Sequence, residues 1–390
     1  MKLTRGGLAS ASLIAICAFA SAVVRADDGR DNRSNRYLIT NLTADMPGVA
    51  PNTDPVLRNA WGVAFSPAAS PFWIADNASG CSTLYDGAGA KVALQVAIPL
   101  PDNSVPKTAC QPASTQTDPP PPTPAAPTGL VWNPTTTFLV PGTTIPASFI
   151  FDTEDGTVSA WAGTIPDPSQ AVIAFDNSQS GAVYKGLATG VNMHGVFLFA
   201  TNFNAGTIDV FAPNGQAGFR LATSQEITGS FSDPDIPAGF APFGIQNIDG
   251  DLFVTYAKQK LPDKHDDMAG PGNGFVDVFD TEGNLLRRFA SRGPLNSPWG
   301  ITRASFAFGR FSGDILVGNF GNGRINAFRS DGDFVDTLRD IKGKPLKIDG
   351  LWTVTLGGGR NSSSDTVYFA AGPNGETNGL FGTITPVSKD

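Results

Sequence analysis

The chain is poor in the residues that most often carry chemistry. Its 390 residues include 3 cysteines, 2 histidines and 4 methionines. Beyond the first 26 residues it has no Gly-x-Ser-x-Gly elbow, Walker loop or His-x-x-x-His pair. "AGPGNG" at 269–274 is glycine-rich, yet it lacks the Lys-Ser/Thr and the helix that phosphate binding requires. Nucleotide chemistry is therefore not expected. Positive charge is also scarce. The formal charge is −8 with a pI near 4.8, and no Lys/Arg cluster offsets that average, so a nucleic-acid backbone would be repelled. Lysine and glutamate are sparse beside 44 glycines and 31 prolines. This balance favours short strands and turns over long helices. Hydrophobic residues make up 41%, enough for a substantial core.

Long apolar runs are missing except at the amino terminus. Lys2 and Arg5 precede an apolar stretch from Leu8 to Val24, and Val24-Arg25-Ala26 offers a cleavage site. Residues 1–26 read as an export signal cut after Ala26, because the run is short for a bilayer span and no second span follows. The expected location is periplasmic or extracellular, with no stable membrane insertion after cleavage. Cys17 lies in the apolar run, but Ile16 stands where lipid attachment needs a small residue. Two cysteines then remain, Cys81 and Cys110. In an oxidising compartment they can form one disulfide or stay reduced, since sequence gives no distance between them. Two cysteines cannot build a structural zinc site.

What the chain does contain is a repeat. Six times a glycine followed by Val, Leu or Ile opens a strand, at Gly62, Gly129, Gly186, Gly244, Gly300 and Gly350. A second apolar run follows each, such as "FWIADN" from 72 and "ILVGNF" from 315. A third run starts directly after a further glycine, such as "GTIDVF" at Gly206 and "GFVDVF" at Gly274. These runs alternate with period two, and a weaker fourth strand follows in several units. The reading is all-β: a six-bladed β-propeller of four-stranded antiparallel blades spanning residues 37–386. A β-sandwich would not explain six copies of one pattern. The last unit supplies three strands while "RYLITNL" at 36–42 is left over, so this N-terminal strand is expected to close the ring in blade six. Residues 27–36 read as a disordered leader, 101–127 ("DPPPPTPAAP" included) as a proline-rich surface insertion, and 387–390 as a tail. Tyr85, Trp161, Phe211, Phe279 and Phe328 hold equivalent third-strand positions and are expected to pack between blades.

"NAWGVAFSP", "FAPFGIQNI", "KHDDMAGPGNGFVDVFDTEGNLL", "SPWGI", "GNFGNGRINAF" and "IDGLW" resemble the signature segments of an uncharacterised family of exported bacterial proteins with NHL-like propeller repeats. The similarity runs from about Tyr37 to Pro386. It implies the propeller fold and export, but no established activity and no catalytic residue. Some members end in a PEP-CTERM-type sorting segment, whereas this sequence ends in "TPVSKD".

Propeller geometry puts the loops between second and third strands on the face where the first strands begin. That face should gather Trp61, Asp76, Asn77, Asp152, Glu154, Asn202, Asn204, Trp299, Asn319 and Glu376 around one mouth. The blade-four loop "KQKLPDKHDDMAGPGNG" adds His265, Asp266 and Asp267. Asn and Asp in such loops serve first as turn formers. An oxygen-rich rim also suits Ca²⁺ better than zinc, with Asp266 and Asp267 as metal candidates. His265, beside Asp266 or Asp267, is a candidate proton shuttle. His194, in "VNMHGVFLF", reads as a turn residue. Three functions fit: a secreted scaffold binding a small molecule, glycan or protein through the loop-rich face; a calcium-dependent hydrolase or lactonase; or a structural component of an envelope or matrix. The first needs no catalytic constellation.

Overall fold

The recurrent glycines mark the places where neighbouring sheets touch. A computed structural model describes residues 1, 33–67, 70–113 and 123–387; the expected export signal and the 388–390 end of the tail lie outside them. Among the described residues six antiparallel sheets form the blades of a β-propeller. Blade one runs through Ala60–Ala64, Phe72–Asp76, Cys81–Tyr85 and Lys91–Ala97. The first strands of blades two to five are Pro127–Trp132, Tyr184–Asn192, Phe240–Ile248 and Pro298–Arg303. Blade six combines Leu351–Leu356, Val367–Ala371 and Leu380–Pro386 with the N-terminal strand Tyr37–Ala44. That strand pairs antiparallel to the last one, from Tyr37 opposite Pro386 to Ala44 opposite Leu380. The expected closure is therefore present, and Asn52–Thr53 adds a short parallel pairing outside it.

In every blade the first strand bulges against the second at one matched place. The two bulged residues are Trp61-Gly62, Thr128-Gly129, Lys185-Gly186, Phe243-Gly244, Trp299-Gly300 and Trp352-Thr353. Such bulges re-aim side chains. The glycines are needed because the next blade lies against them: a Cβ on Gly62 would sit 2.4 Å from the Thr128 carbonyl oxygen, and one on Gly244 2.1 Å from that of Trp299. The sixth unit departs from the sequence pattern. Gly350 lies three residues before the matched position, which Thr353 fills; the Thr353 hydroxyl donates to the Trp61 carbonyl at 2.6 Å. Gly350 instead makes the turn into the strand, with φ +63.

The five third-strand aromatics are buried as expected, and each contributes roughly 1.5–3 kcal/mol of apolar transfer. They join blade to blade: Trp161 packs on Trp73 at 4.6 Å between centroids, and Phe279 meets Phe231 at 5.6 Å. Two expected boundaries change. Residues 33–36 are not frayed: Asn35 is buried and donates to Asp336 and to the Thr337 carbonyl. The insertion also ends sooner than 127, since Pro127 already belongs to the first strand of blade two. Inside it, Cys110 is fastened by a disulfide to Cys81 and by its amide donating to the Ser79 carbonyl at 2.9 Å.

Candidate binding site at the channel mouth

The six bulges aim one residue per blade at the start of the first strands. Four of these, Trp61, Phe243, Trp299 and Trp352, form one aromatic cluster with Phe203, and Phe320 packs against it. Trp61 stacks on Trp352 with centroids 3.4 Å apart, Phe320 stacks on Trp352 at 3.8 Å, and Trp299 meets both tryptophans edge-on. This plug leaves only a narrow cavity of about 40 Å³ beneath it, lined by residues such as Gly129, Leu130, Leu187 and Thr353. A wider opening of about 370 Å³ lies between the first strands, bordered by Phe65, Trp132, Thr189 and Asn247.

Blade three breaks the aromatic pattern with Lys185. Its side chain is 3% exposed, and its ammonium lies 5.2 Å from the Trp61 ring centroid and 5.9 Å from that of Phe203. A buried ammonium requires a partner, which Glu154 supplies through a direct hydrogen-bonded ion pair. Asn77 donates to the other Glu154 oxygen at 2.8 Å. Asn59 then donates to Asn77 Oδ1 and to Glu376 Oε2, and accepts from the Trp352 indole at 3.0 Å. One polar network thus crosses blades one, two, three and six. Blade four joins from above. His265 Nδ1 is 3.0 Å from Asp266 Oδ1 and 4.0 Å from Glu154 Oε1, the oxygen that also holds Lys185.

The charges at this mouth do not balance. Burial raises the Glu376 carboxyl, opposed by the Asn59 hydrogen bond and reinforced by Glu154. Burial also raises Asp267, against the neighbouring Ser297 hydroxyl and the charge of Lys185. Asp266 is held below its ordinary value: burial works against this, but the His265 hydrogen bond and the charges of Lys185 and Lys260 prevail. The buried Trp61 indole Nε1 is without a hydrogen-bond partner.

Of the residues expected on the rim, Trp61, Asn77, Glu154, Trp299 and Glu376 come together with His265, Asp266 and Asp267. The others do not. Asp76 is buried inside blade one, accepting from the Thr83 amide at 2.9 Å. Asp152 is buried against its own first strand, accepting from the Gly129 amide and the Thr128 hydroxyl. Asn202 and Asn319 are buried and accept backbone amides of adjoining turns, and Asn204 donates to the Asp263 carbonyl. The turn-forming role has won at Asn202 and Asn319. His194 is an exposed turn residue whose amide bonds to Asn192. Among the described residues no three His, Cys, Asp or Glu side chains are grouped so that they could hold a metal ion. Sequence reasoning missed Lys185, Asn59, Phe243 and Trp352. For Lys185 and Phe243 the available signal was the residue immediately before the recurrent glycine.

The architecture is that of a six-bladed β-propeller with a polar, aromatic-floored mouth on one face. Virginiamycin B lyase from Staphylococcus aureus shares this fold, with a TM-score of 0.50 and 14% identity over 90% of this chain and 100% of the other. The chain belongs to the family of two uncharacterised proteins of Acanthamoeba polyphaga mimivirus. It is 31% identical to protein R648, covering 89% of this chain and 79% of that one, and 30% identical to protein L690, covering 89% and 84%. The family is therefore not confined to bacteria, contrary to the expectation from the signature segments. No protein-family profile matches the chain.

Proposed function

We propose that the protein is a secreted binding scaffold that holds a small polar molecule at the channel mouth. The observation that carries this is Glu154. One carboxylate is gripped by Lys185 and Asn77 and approached by His265, so four blades meet at a group with no need to be there for sheet packing. The aromatic plug supplies a dry floor, and Trp61 Nε1 supplies a donor still without a partner. Concave sites of this make-up, mostly apolar with a few fixed polar groups, suit small ligands. Export is in keeping with the Cys81–Cys110 bridge, since disulfides persist in oxidising compartments.

A thermal-shift panel of neutral and cationic small polar molecules and short glycans tests the reading, with tryptophan fluorescence reporting on Trp61 and Trp352. Stabilising ligands should quench that fluorescence and lose their effect on the Glu154→Ala and Asn77→Ala variants. Ligands that act equally on both variants, or a panel without one stabilising member, would sink it.

A further inference from the structure

We infer that the far end of the channel is a second ligand site, a blind pocket that takes the ring of a neutral sugar. It is separate from the mouth described above and does not rest on that proposal. The sequence repeat builds it. Phe65, Trp132 and Thr189 stand three residues past Gly62, Gly129 and Gly186, so they lie on the other side of the bulges from the loop-rich mouth. Gln246 and Asn247 of blade four and Thr355 of blade six join them around the opening of about 370 Å³. That size falls within the roughly 300–1,000 Å³ of small-ligand sites. Inward the opening narrows into the cavity of about 40 Å³, which Gln246 and Thr355 also line and which ends against Trp299 of the plug. The stacked rings of Trp61, Trp352 and Phe320 lie beyond it, so a ligand enters and leaves from one side.

The lining selects the ligand. Among the described residues that border the opening none is ionisable. Blade five puts Arg303 at the same repeat place, but its guanidinium pairs with Asp249 at 2.8 Å. Asn247 is a wall: its Nδ2 donates to the Thr189 carbonyl at 2.9 Å and its Oδ1 accepts the Gly250 amide at 3.0 Å. Among the described residues the Thr189 and Thr355 hydroxyls and the Trp132 indole make no hydrogen bond. The exposed Gln246 amide makes only one long contact, 3.5 Å from Nε2 to the Asn247 carbonyl. Hydroxyls and a carboxamide both donate and accept, as the hydroxyls of a sugar require. Phe65 and Trp132 are half-buried, and their rings offer apolar surface for the C–H faces of a pyranose. An apolar guest would strip water from Thr189, Thr355 and Gln246 without replacing the lost bonds. An ionic one would find no counter-charge. A neutral polyhydroxylated ring meets both conditions.

The experiment is saturation-transfer difference NMR on the full chain, with titrations of D-glucose, D-galactose and D-mannose and of the disaccharides maltose and lactose. Every variant is checked for folding by circular dichroism. At least one neutral monosaccharide should bind. Trp132→Ala should weaken it about tenfold, the scale of losing one apolar contact surface, and Trp132→Phe should recover part of that loss. Gln246→Ala should weaken it about fivefold, as expected for one hydrogen bond; because this side chain is exposed, the variant keeps the test open if Trp132→Ala does not fold. Thr355→Val should act in the same direction, and Glu154→Ala, at the other end of the channel, should leave binding unchanged. A disaccharide that binds more tightly than its monosaccharides identifies the end of a glycan as the natural source, and equal or weaker binding identifies the free sugar. No binding by the wild-type chain, wild-type affinity in both Gln246→Ala and Trp132→Ala, or D-glucuronate binding as tightly as the neutral sugars would overturn the inference. Loss in Glu154→Ala alone would assign the sugar to the mouth and remove this site, whereas loss in the Trp132 and Gln246 variants alone establishes it whatever binds at the mouth.

Discussion

Lys185 takes the place that tryptophan holds in blades one, five and six and phenylalanine in blade four. Glu154 pairs with its ammonium, so the identity of one residue converts a wall of the aromatic plug into a polar node. Nothing in composition announces this. The sequence pattern was built on glycine and the residue after it, whereas the informative position is the one before. The Asx residues show the converse failure. Asn202 and Asn319 have the composition of ligands and the geometry of turn formers, and sequence alone carries no distance to separate the two. Asp152 allows a quantitative check. Burial pushes its carboxyl up to about 7, against the Thr128 and Gly129 hydrogen bonds. An unfolded aspartate titrates near 3.9, so between about pH 4 and 7 the unfolded chain releases a proton that the folded one retains. This group therefore costs the fold stability as pH rises through that window, and the cost levels off above it. Melting temperatures measured from pH 4 to 8 should fall along this range, and Asp152→Asn should flatten the slope. An unchanged slope would mean that Asp152 is ionised in the folded chain.

At the scale of elements, the strands were legible and their exact register was not. Six recurring apolar runs located the blades, because strands covered by neighbours on both faces are apolar almost throughout. In blade six the Asp349-Gly350 turn imitated the repeat glycine three residues early, so Trp352 escaped notice until the bulge placed it opposite Trp61. The blade-four loop was legible only as an enlarged turn. Its path depends on pairings such as the Lys260 amide with the Asp266 carbonyl and the Met268 amide with the Lys258 carbonyl, which carry His265 back over Glu154. The insertion behaves as a tethered element. Its disulfide closes a loop with a sequence separation of 29, for which chain entropy gives about 3–4 kcal/mol. The double variant Cys81→Ala/Cys110→Ala should show that loss in urea denaturation, with the mouth network otherwise retained.

The ring as a whole was the most legible level, because six similar units and one leftover strand leave few other arrangements. Which loops on the mouth face actually meet was beyond the sequence, since loop length and side-chain reach decide it. Closure depends on Tyr37, which is fully buried, stacks on Phe308 at 4.9 Å and Phe311 at 5.8 Å, and donates to the Phe308 carbonyl. Tyr37→Ala should cost about 3–5 kcal/mol, read as a shifted denaturation midpoint of the entire molecule and not of a separate step, because blade six borders both blade five and blade one. The Val387 amide donates to the Arg36 carbonyl, so the first and last residues of the described ring stand side by side. The order in which the blades are synthesised is then a matter of where the circle is cut: a circular permutant spliced from 387 to 36 and opened at the exposed Met193–His194 turn would trace the same path.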